Sequence, residues 1–153
     1  MDNENNRNNT FFRFEDLRIY HKALNYSKWV SELNMSQVNE QQKGLIDRFN
    51  SSSHNIVLNI AEGSARNKSQ FIYYLKMAKS AVRECLVFTS ICYSLNLLDE
   101  TEENESRNQL MEMTKMIGAL ISSLQRASNN RRDEESENYD DVDEQANRVN
   151  NIN

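Results

Sequence analysis

The most constraining feature of this sequence is an apolar repeat with alternating four- and three-residue steps, which occurs in four stretches of the chain. In the third stretch seven residues follow the repeat without a break: Phe71, Leu75, Ala78, Val82, Cys85, Thr89 and Cys92. This spacing places all seven on one face of an α-helix. The chain of 153 residues has no proline and only three glycines. Hairpin-rich β folds and glycine-rich phosphate loops are therefore excluded.

The repeat predicts four helices, over residues 14–34, 38–64, 68–97 and 102–127. Gly63 lies where the second helix is expected to end, since glycine is common just past a helix C-terminus. Helices of this length joined by short connections pack antiparallel to their neighbours. We therefore predict an all-α fold, an antiparallel up-down-up-down four-helix bundle with disordered polar tails.

Polar side chains that could accept from free first-turn amides mark the starts of the later helices. Ser36 is the expected cap of the second helix. Asn67 followed by Gln70 resembles a capping box at the start of the third. Asp99 and Thr101 both qualify as the cap of the fourth.

The net charge of -5 resides in the C-terminal segment. Residues 129–153 contain eight acidic and three basic side chains, whereas residues 14–128 are neutral. This segment and residues 1–11 are polar and poor in apolar residues, so both are expected to be disordered on either side of a bundle domain at 12–128. The acidic tail is expected to be a solvated tail, or one that docks on a basic partner or shields the protein's own basic face.

No signal peptide and no membrane-spanning stretch is visible, and the chain is expected to be cytoplasmic. Cys85 and Cys92 are seven residues apart on a predicted helix, about 10 Å along its axis, and cannot form a disulfide. The two histidines, His21 and His54, lack the Glu three residues earlier that a diiron bundle uses. The sequence predicts no metal site and no cofactor.

Polar residues on the second and third helices have two interpretations. Asn59, Glu62, Ser80 and Glu84, together with His54, could form a structural polar network between the helices. Alternatively, the two carboxylates could face a cleft as a catalytic pair. Since no further catalytic motif accompanies them, we expect a structural network and a protein that is not an enzyme.

A group of cationic side chains on and before the third helix could bind the phosphates of a nucleic acid. Its members are Arg66, Lys68, Lys76, Lys79 and Arg83. The alternative is an ordinary solvated helix face. Trp29 lies off the main apolar stripe of the first helix, and an outward Trp is typical of a protein interface.

Two segments carry a family resemblance. The run FEDLRIYHKA at residues 14–23 and the run NIAEG at 59–63 resemble the bacterial four-helix-bundle proteins encoded in 23S rRNA intervening sequences. That family includes accessory proteins of diversity-generating retroelements. The resemblance covers residues 12–128 and extends to the third helix through Phe71, Leu75 and Ala78, and through Ser80, Glu84 and Leu86.

The resemblance implies a homopentamer with a central channel and no catalytic residues. It also implies that RNA or the ribosome is a possible partner. For the retroelement relatives, the implied partner is a reverse transcriptase, which is bound through a basic surface. Asn50 and Ser51 stand here where the family usually has paired arginines, Arg48 replaces a glutamine and Val57 replaces a proline. These changes weaken the nucleic-acid interpretation.

We therefore expect a non-enzymatic interaction protein, a homo-oligomeric scaffold whose partner the sequence does not identify. The alternative is an RNA- or ribosome-associated protein, or a reverse-transcriptase accessory protein, that uses the basic face of the third helix.

Overall fold

A computed structural model describes residues 11–34 and 36–150, and describes residues 133–150 by their backbone alone. Within these residues the fold is all-α, as predicted. The elements in chain order are a 3₁₀ helix Arg13–Asp16, α1 Arg18–Ser31, α2 Glu40–Ser64, α3 Lys68–Ser94 and α4 Glu100–Asn150.

The core is built from the apolar faces that the repeat predicts. Fully or nearly buried side chains come from all four helices, namely Ile19, Ala23, Tyr26 and Val30, Phe49, Ile56 and Ile60, Leu75, Ala78, Val82, Cys85, Thr89 and Cys92, and Leu110, Met113 and Ile117. α2 packs against both α1 and α3. Short connections between consecutive helices make these neighbours antiparallel, so the predicted bundle is confirmed.

Gly63 allows α2 and α3 to approach each other closely. A Cβ atom at this position would lie 2.7 Å from Cβ of Tyr74 and 2.9 Å from Cδ2 of Phe71. The predicted role of Gly63 as the helix end is wrong, because α2 continues to Ser64 and Ala65 is its C-cap. The residue is instead small because the facing helix leaves no room for a side chain.

The caps agree with the sequence at two of three helices. Asn67 accepts a hydrogen bond from the Gln70 amide, and Asp99 from the Glu102 amide. The assignment of Ser36 is wrong, since Asn39 caps α2 and forms a reciprocal capping box with Gln42. The spacing Asn39-x-x-Gln42 has the form of such a box, and the capping side chain there is an amide instead of a hydroxyl.

α3 ends three residues before its predicted end. Asn96 has a left-handed backbone with φ of 57°. The Leu97 amide donates to the Cys92 carbonyl at 2.8 Å and the Asn96 amide to the Tyr93 carbonyl at 3.0 Å. This pair of bonds is a Schellman motif, which closes the helix.

The first and fourth helices also differ from the prediction. Leu17 is extended and separates the 3₁₀ helix from α1, so α1 is shorter than the predicted 14–34. α4 continues to Asn150, whereas the sequence predicts its end at Ala127 and disorder from residue 129. No glycine or proline follows Gly118, so no helix-breaking residue ends α4. The expected disorder of residues 1–10 lies outside the described residues.

The chain divides into two compact units after Gly118. The first contains α1, α2, α3 and the first part of α4, and the second contains the rest of α4. The surface considered below belongs to the first unit.

Candidate interaction surface

α3 carries a second repeat on the side opposite its core face, which is apolar at both ends and polar at its two central positions. We call this set the outer stripe, and it consists of Tyr73, Met77, Ser80, Glu84, Val87 and Ile91. Its steps of four and three residues match those of the core face. Its four apolar side chains are 37% to 59% exposed. An apolar face left in water on a helix that already buries its other face is typical of a binding surface.

The C-terminal half of the outer stripe borders a groove between α2 and α3. We call it the α2–α3 groove, and its principal lining residues are Leu45, Arg48, Arg83, Val87, Phe88 and Ile91. The Arg48 guanidinium carbon lies 5.6 Å from the centre of the Phe88 ring, a cation–π contact. The Phe88 ring in turn stacks on Phe49, which anchors this wall of the groove in the core. The groove therefore combines apolar walls with two arginines at its rims, and the Glu84 carboxylate and three serines also line it.

Three cations flank the outer stripe. Lys76, Lys79 and Arg83 each precede a stripe residue by one position, which places them about 100° around the helix, along one edge of the stripe. Arg83 donates to the Ser80 hydroxyl at 3.2 Å. Among the side chains that the structure describes, no carboxylate lies within ion-pair distance of any of the three.

The other two predicted cations lie at the start of α3 and form a separate group. The Arg66 Nε donates to the Glu62 carboxylate at 3.0 Å, and its guanidinium lies over the Tyr74 ring. The hydrogen bond to Glu62 raises the pKa of Arg66 above its usual value. Lys68 is half-buried in the first turn. Of the five predicted cations, only Arg66 has a carboxylate partner among the side chains that the structure describes.

The residues of the expected polar network are not joined to one another. Asn59 donates to the Asn55 carbonyl of its own helix, and Glu62 pairs with Arg66. Ser80 donates to the Lys76 carbonyl, and His54 is exposed. Only Glu84 bonds across helices, since it accepts from the Ser52 hydroxyl at 2.9 Å.

A buried hydroxyl chain that sequence reasoning missed lies inside the bundle. Thr89 donates to the Cys85 carbonyl at 2.8 Å, so its one proton is used there. Ser106 must then donate to Thr89, at 2.7 Å, and Tyr26 must donate to Ser106, at 2.8 Å. All of these hydrogen bonds are donated in one direction, from Tyr26 on α1 through Ser106 on α4 to Thr89 on α3. A signal was present, because Ser106 lies four residues before Leu110 and continues the apolar repeat of α4.

Trp29 is half-buried and stacks on Tyr26, with ring centres 5.9 Å apart. Its indole therefore serves partly as a cover for the core tyrosine. The role of Trp29 at an interface stays a prediction.

The thiols are buried and held neutral. Burial raises the pKa of Cys85 to about 12 and that of Cys92 to about 11. A neutral buried thiol is a poor nucleophile and a poor metal ligand. Within the part of the chain that the structure describes, no three His, Cys, Asp or Glu side chains cluster as metal ligands would. Over the same residues, no helix combines the length and the hydropathy of a membrane span.

The fold is an all-α four-helix bundle whose third helix exposes apolar side chains on the side away from the core. The chain belongs to the 23S rRNA-intervening sequence protein family, whose model matches residues 15–119. The resemblance in the sequence is therefore confirmed.

A solved structure has the same fold. It is the crystal structure of a protein of unknown function from the S23 ribosomal protein family of Bacteroides thetaiotaomicron, with a TM-score of 0.62 and 20% sequence identity. The match covers 68% of this chain and 95% of the other. No curated protein matches the sequence.

Proposed function

We propose that this protein acts by binding and not by catalysis, as a homo-oligomeric scaffold, and that the outer stripe of α3 is its binding surface. The observation that carries the proposal is the exposure of four apolar side chains, Tyr73 and Met77 at one end of the stripe and Val87 and Ile91 at the other, on a helix already packed in the core. Covering such a stripe removes apolar area from water at about 25 cal/mol per Å². A second copy of the chain offers the same stripe and is the simplest partner.

The chemistry of the remaining groups supports a binding protein. Glu62 and Glu84 form no catalytic pair, because the first is engaged by Arg66 and the second by Ser52. Neither cysteine offers a thiolate near neutral pH, since burial raises both pKa values.

The proposal is tested by measuring the mass of the full-length protein by sedimentation equilibrium over a hundredfold range of concentration. We expect a multiple of the 17.9 kDa chain mass, five times this value for the pentamer that the family resemblance implies. Val87→Asp should disperse the assembly, because it places a charge on an apolar surface that association would bury. Leu58→Asp is the matched control, since Leu58 is 62% exposed on α2 and lies outside the stripe.

Circular dichroism of each variant checks that the bundle is intact. A wild-type protein that is monomeric at every concentration contradicts the scaffold. An assembly that tolerates Val87→Asp as well as it tolerates Leu58→Asp contradicts the assignment of the surface.

A second candidate function is nucleic-acid binding through Lys76, Lys79 and Arg83. The favouring observation is that these three cations have no carboxylate partner among the described side chains. An RNA, a ribosomal site, or nucleic acid held by a reverse transcriptase would meet the same cations.

This candidate is tested by binding a structured ribosomal RNA fragment at several salt concentrations. The slope of log affinity against log salt should fall by about one for each phosphate contact removed, for instance in Lys79→Glu. Lys28→Glu, on α1, controls for the change in net charge, because Lys28 already pairs with Glu32. Equal slopes for both variants, or no binding by the wild type, would exclude this function.

A further inference from the structure

The acidic C-terminal segment contains an apolar repeat of its own. In the sequence Tyr139, Val142, Ala146 and Val149 recur at steps of three, four and three residues. The backbone of α4 is helical through Asn150. A helix with this spacing has its apolar residues on one face. At 100° per residue, Asp143 and Asp141 fall on the two sides of that face, and Asp140 and Glu144 fall on the opposite side of the helix.

The charge of this segment is complementary to the rims of the α2–α3 groove. Residues 129–153 contain eight acidic and three basic side chains. Arg48 and Arg83 line the groove together with Glu84, which accepts a hydrogen bond from Ser52, and Lys79 lies one turn before Arg83 on α3. Opposite charges on partner surfaces set the register of docking and raise the association rate.

The dimensions also agree. The apolar repeat from Tyr139 to Val149 extends about 15 Å along a helix, at 1.5 Å per residue. The outer stripe from Tyr73 to Ile91 extends about 27 Å by the same measure. The repeat of the C-terminal segment is therefore short enough to lie wholly on the stripe, over the end where Val87 and Ile91 meet Leu45 and Phe88.

We infer that the α2–α3 groove and the adjoining end of the outer stripe bind the acidic C-terminal helix of a second copy of this chain. The apolar repeat of that helix contacts Val87 and Ile91, and the two carboxylates that flank the repeat, Asp141 and Asp143, face Arg48 and Arg83. This inference rests on the proposed function, because it names the occupant of the same surface.

We assign the occupant of the groove to a second copy of the chain because α4 is continuous. The helix runs from Glu100 to Asn150 without a break, and the sequence after Gly118 contains no glycine or proline to form a turn. A second copy can therefore supply the segment without a turn in α4.

The first test compares full-length variants by sedimentation. Val142→Asp in the C-terminal segment and Val87→Asp in the groove should each weaken self-association at least tenfold. Asn147→Asp adds the same charge beside the apolar repeat, and it should change the association constant less than twofold. A loss with Val142→Asp but not with Asn147→Asp assigns the effect to apolar contact, because added acid alone would strengthen attraction to the cationic rims.

The second test uses a labelled peptide of residues 129–153 and the full-length Val142→Asp chain, whose own segment no longer competes. Fluorescence anisotropy should show saturable binding that weakens with salt and is lost when Val87→Asp is added. Leu58→Asp in the same background should bind the peptide as well as its parent does.

The outcomes separate this inference from the proposed function. If Val87→Asp disperses the assembly but Val142→Asp does not, and the peptide does not bind, the stripe is an interface and the C-terminal helix is not its occupant. If Val142→Asp disperses the assembly but Val87→Asp does not, the segment binds elsewhere and both assignments of the surface are overturned. If neither variant changes the association constant, both are overturned as well.

Discussion

Replacing Gly63 with alanine adds one methyl group where α2 and α3 approach each other closely. The added Cβ would lie 2.7 Å from Cβ of Tyr74, and ordinary contact begins at 3.4 Å. The Tyr74 Cβ is fixed to the backbone of α3, so no rotation of a side chain can relieve the contact. The two helices must therefore separate locally by about 0.7 Å, the difference between these two distances.

The expected cost follows from that separation. A gap of 0.5–1 Å forfeits roughly a quarter to a half of the dispersion attraction at each affected contact. Overpacking of this kind destabilises by about 1–3 kcal/mol. Alanine also has a helix propensity better than that of glycine by about 1 kcal/mol, which offsets part of the cost.

Gly44 and Gly118 provide matched controls that remove the propensity from the comparison. Both lie within helices, and a Cβ at either position would meet nothing within 4 Å. Gly44→Ala and Gly118→Ala should therefore stabilise the protein by up to about 1 kcal/mol. The free energy of unfolding of Gly63→Ala should lie about 1–3 kcal/mol below that of either control.

Urea unfolding followed by circular dichroism at 222 nm measures all three variants on one scale. If Gly63→Ala proved as stable as Gly44→Ala, α2 and α3 would not be in close contact at this point. A lack of room beside α3 would then not account for the glycine of the NIAEG run.

Three further predictions concern the interior and the surface of the bundle. Ser106→Ala removes the acceptor that the Tyr26 hydroxyl uses and should cost about 1–3 kcal/mol. Tyr26→Phe removes the donor itself and should cost about 1 kcal/mol. An inverted order in urea unfolding would contradict the direction of these hydrogen bonds. Asn59→Ala should change the free energy of unfolding by less than about 0.5 kcal/mol, because the Asn59 amide donates to a carbonyl of its own helix at the surface. A loss above about 1 kcal/mol would indicate that Asn59 belongs to a polar network after all. Burial raises the pKa of Cys85 to about 12, so the thiol of the unfolded chain ionises at lower pH than that of the folded chain. The free energy of unfolding should therefore fall as pH rises above 9, and it should fall less steeply in Cys85→Ala. Equal slopes of this free energy against pH for the two proteins, measured by urea unfolding across pH 8–10.5, would contradict the buried thiol.

The architecture was predictable because the four apolar repeats are long and have few interruptions. A repeat of seven members such as Phe71 to Cys92 fixes both the element type and the buried face, since no other regular structure has that period. The helix ends were less predictable. The end of α3 depends on Asn96 in a left-handed conformation, and the residue alone does not show whether it will adopt one.

The polar network was not predictable, because residue type does not determine which side of a helix faces the core. Asn59 and Glu62 follow the core residue Ile56 by three and six positions. Glu62 nevertheless faces outward and finds its partner, Arg66, one turn further along the same surface. Buried hydroxyls were overlooked for the opposite reason, since Thr89 and Ser106 occupy core positions of their repeats and look like small apolar residues there.

The two faces of α3 bear directly on how the protein works. One face follows the repeat from Leu75 to Cys92 and is buried, and the other follows the same repeat from Tyr73 to Ile91 and is exposed. A helix that is apolar on two sides is expected where both sides are covered. Among the described residues the bundle covers only the first, and the proposal of a helical, acidic partner rests on the length of the second and on its flanking cations. The position of Glu84 within the exposed repeat fits this arrangement, because the Ser52 hydroxyl satisfies one of its carboxylate oxygens within the chain. The exposed repeat can therefore be covered at its Val87 end without leaving that oxygen unpaired.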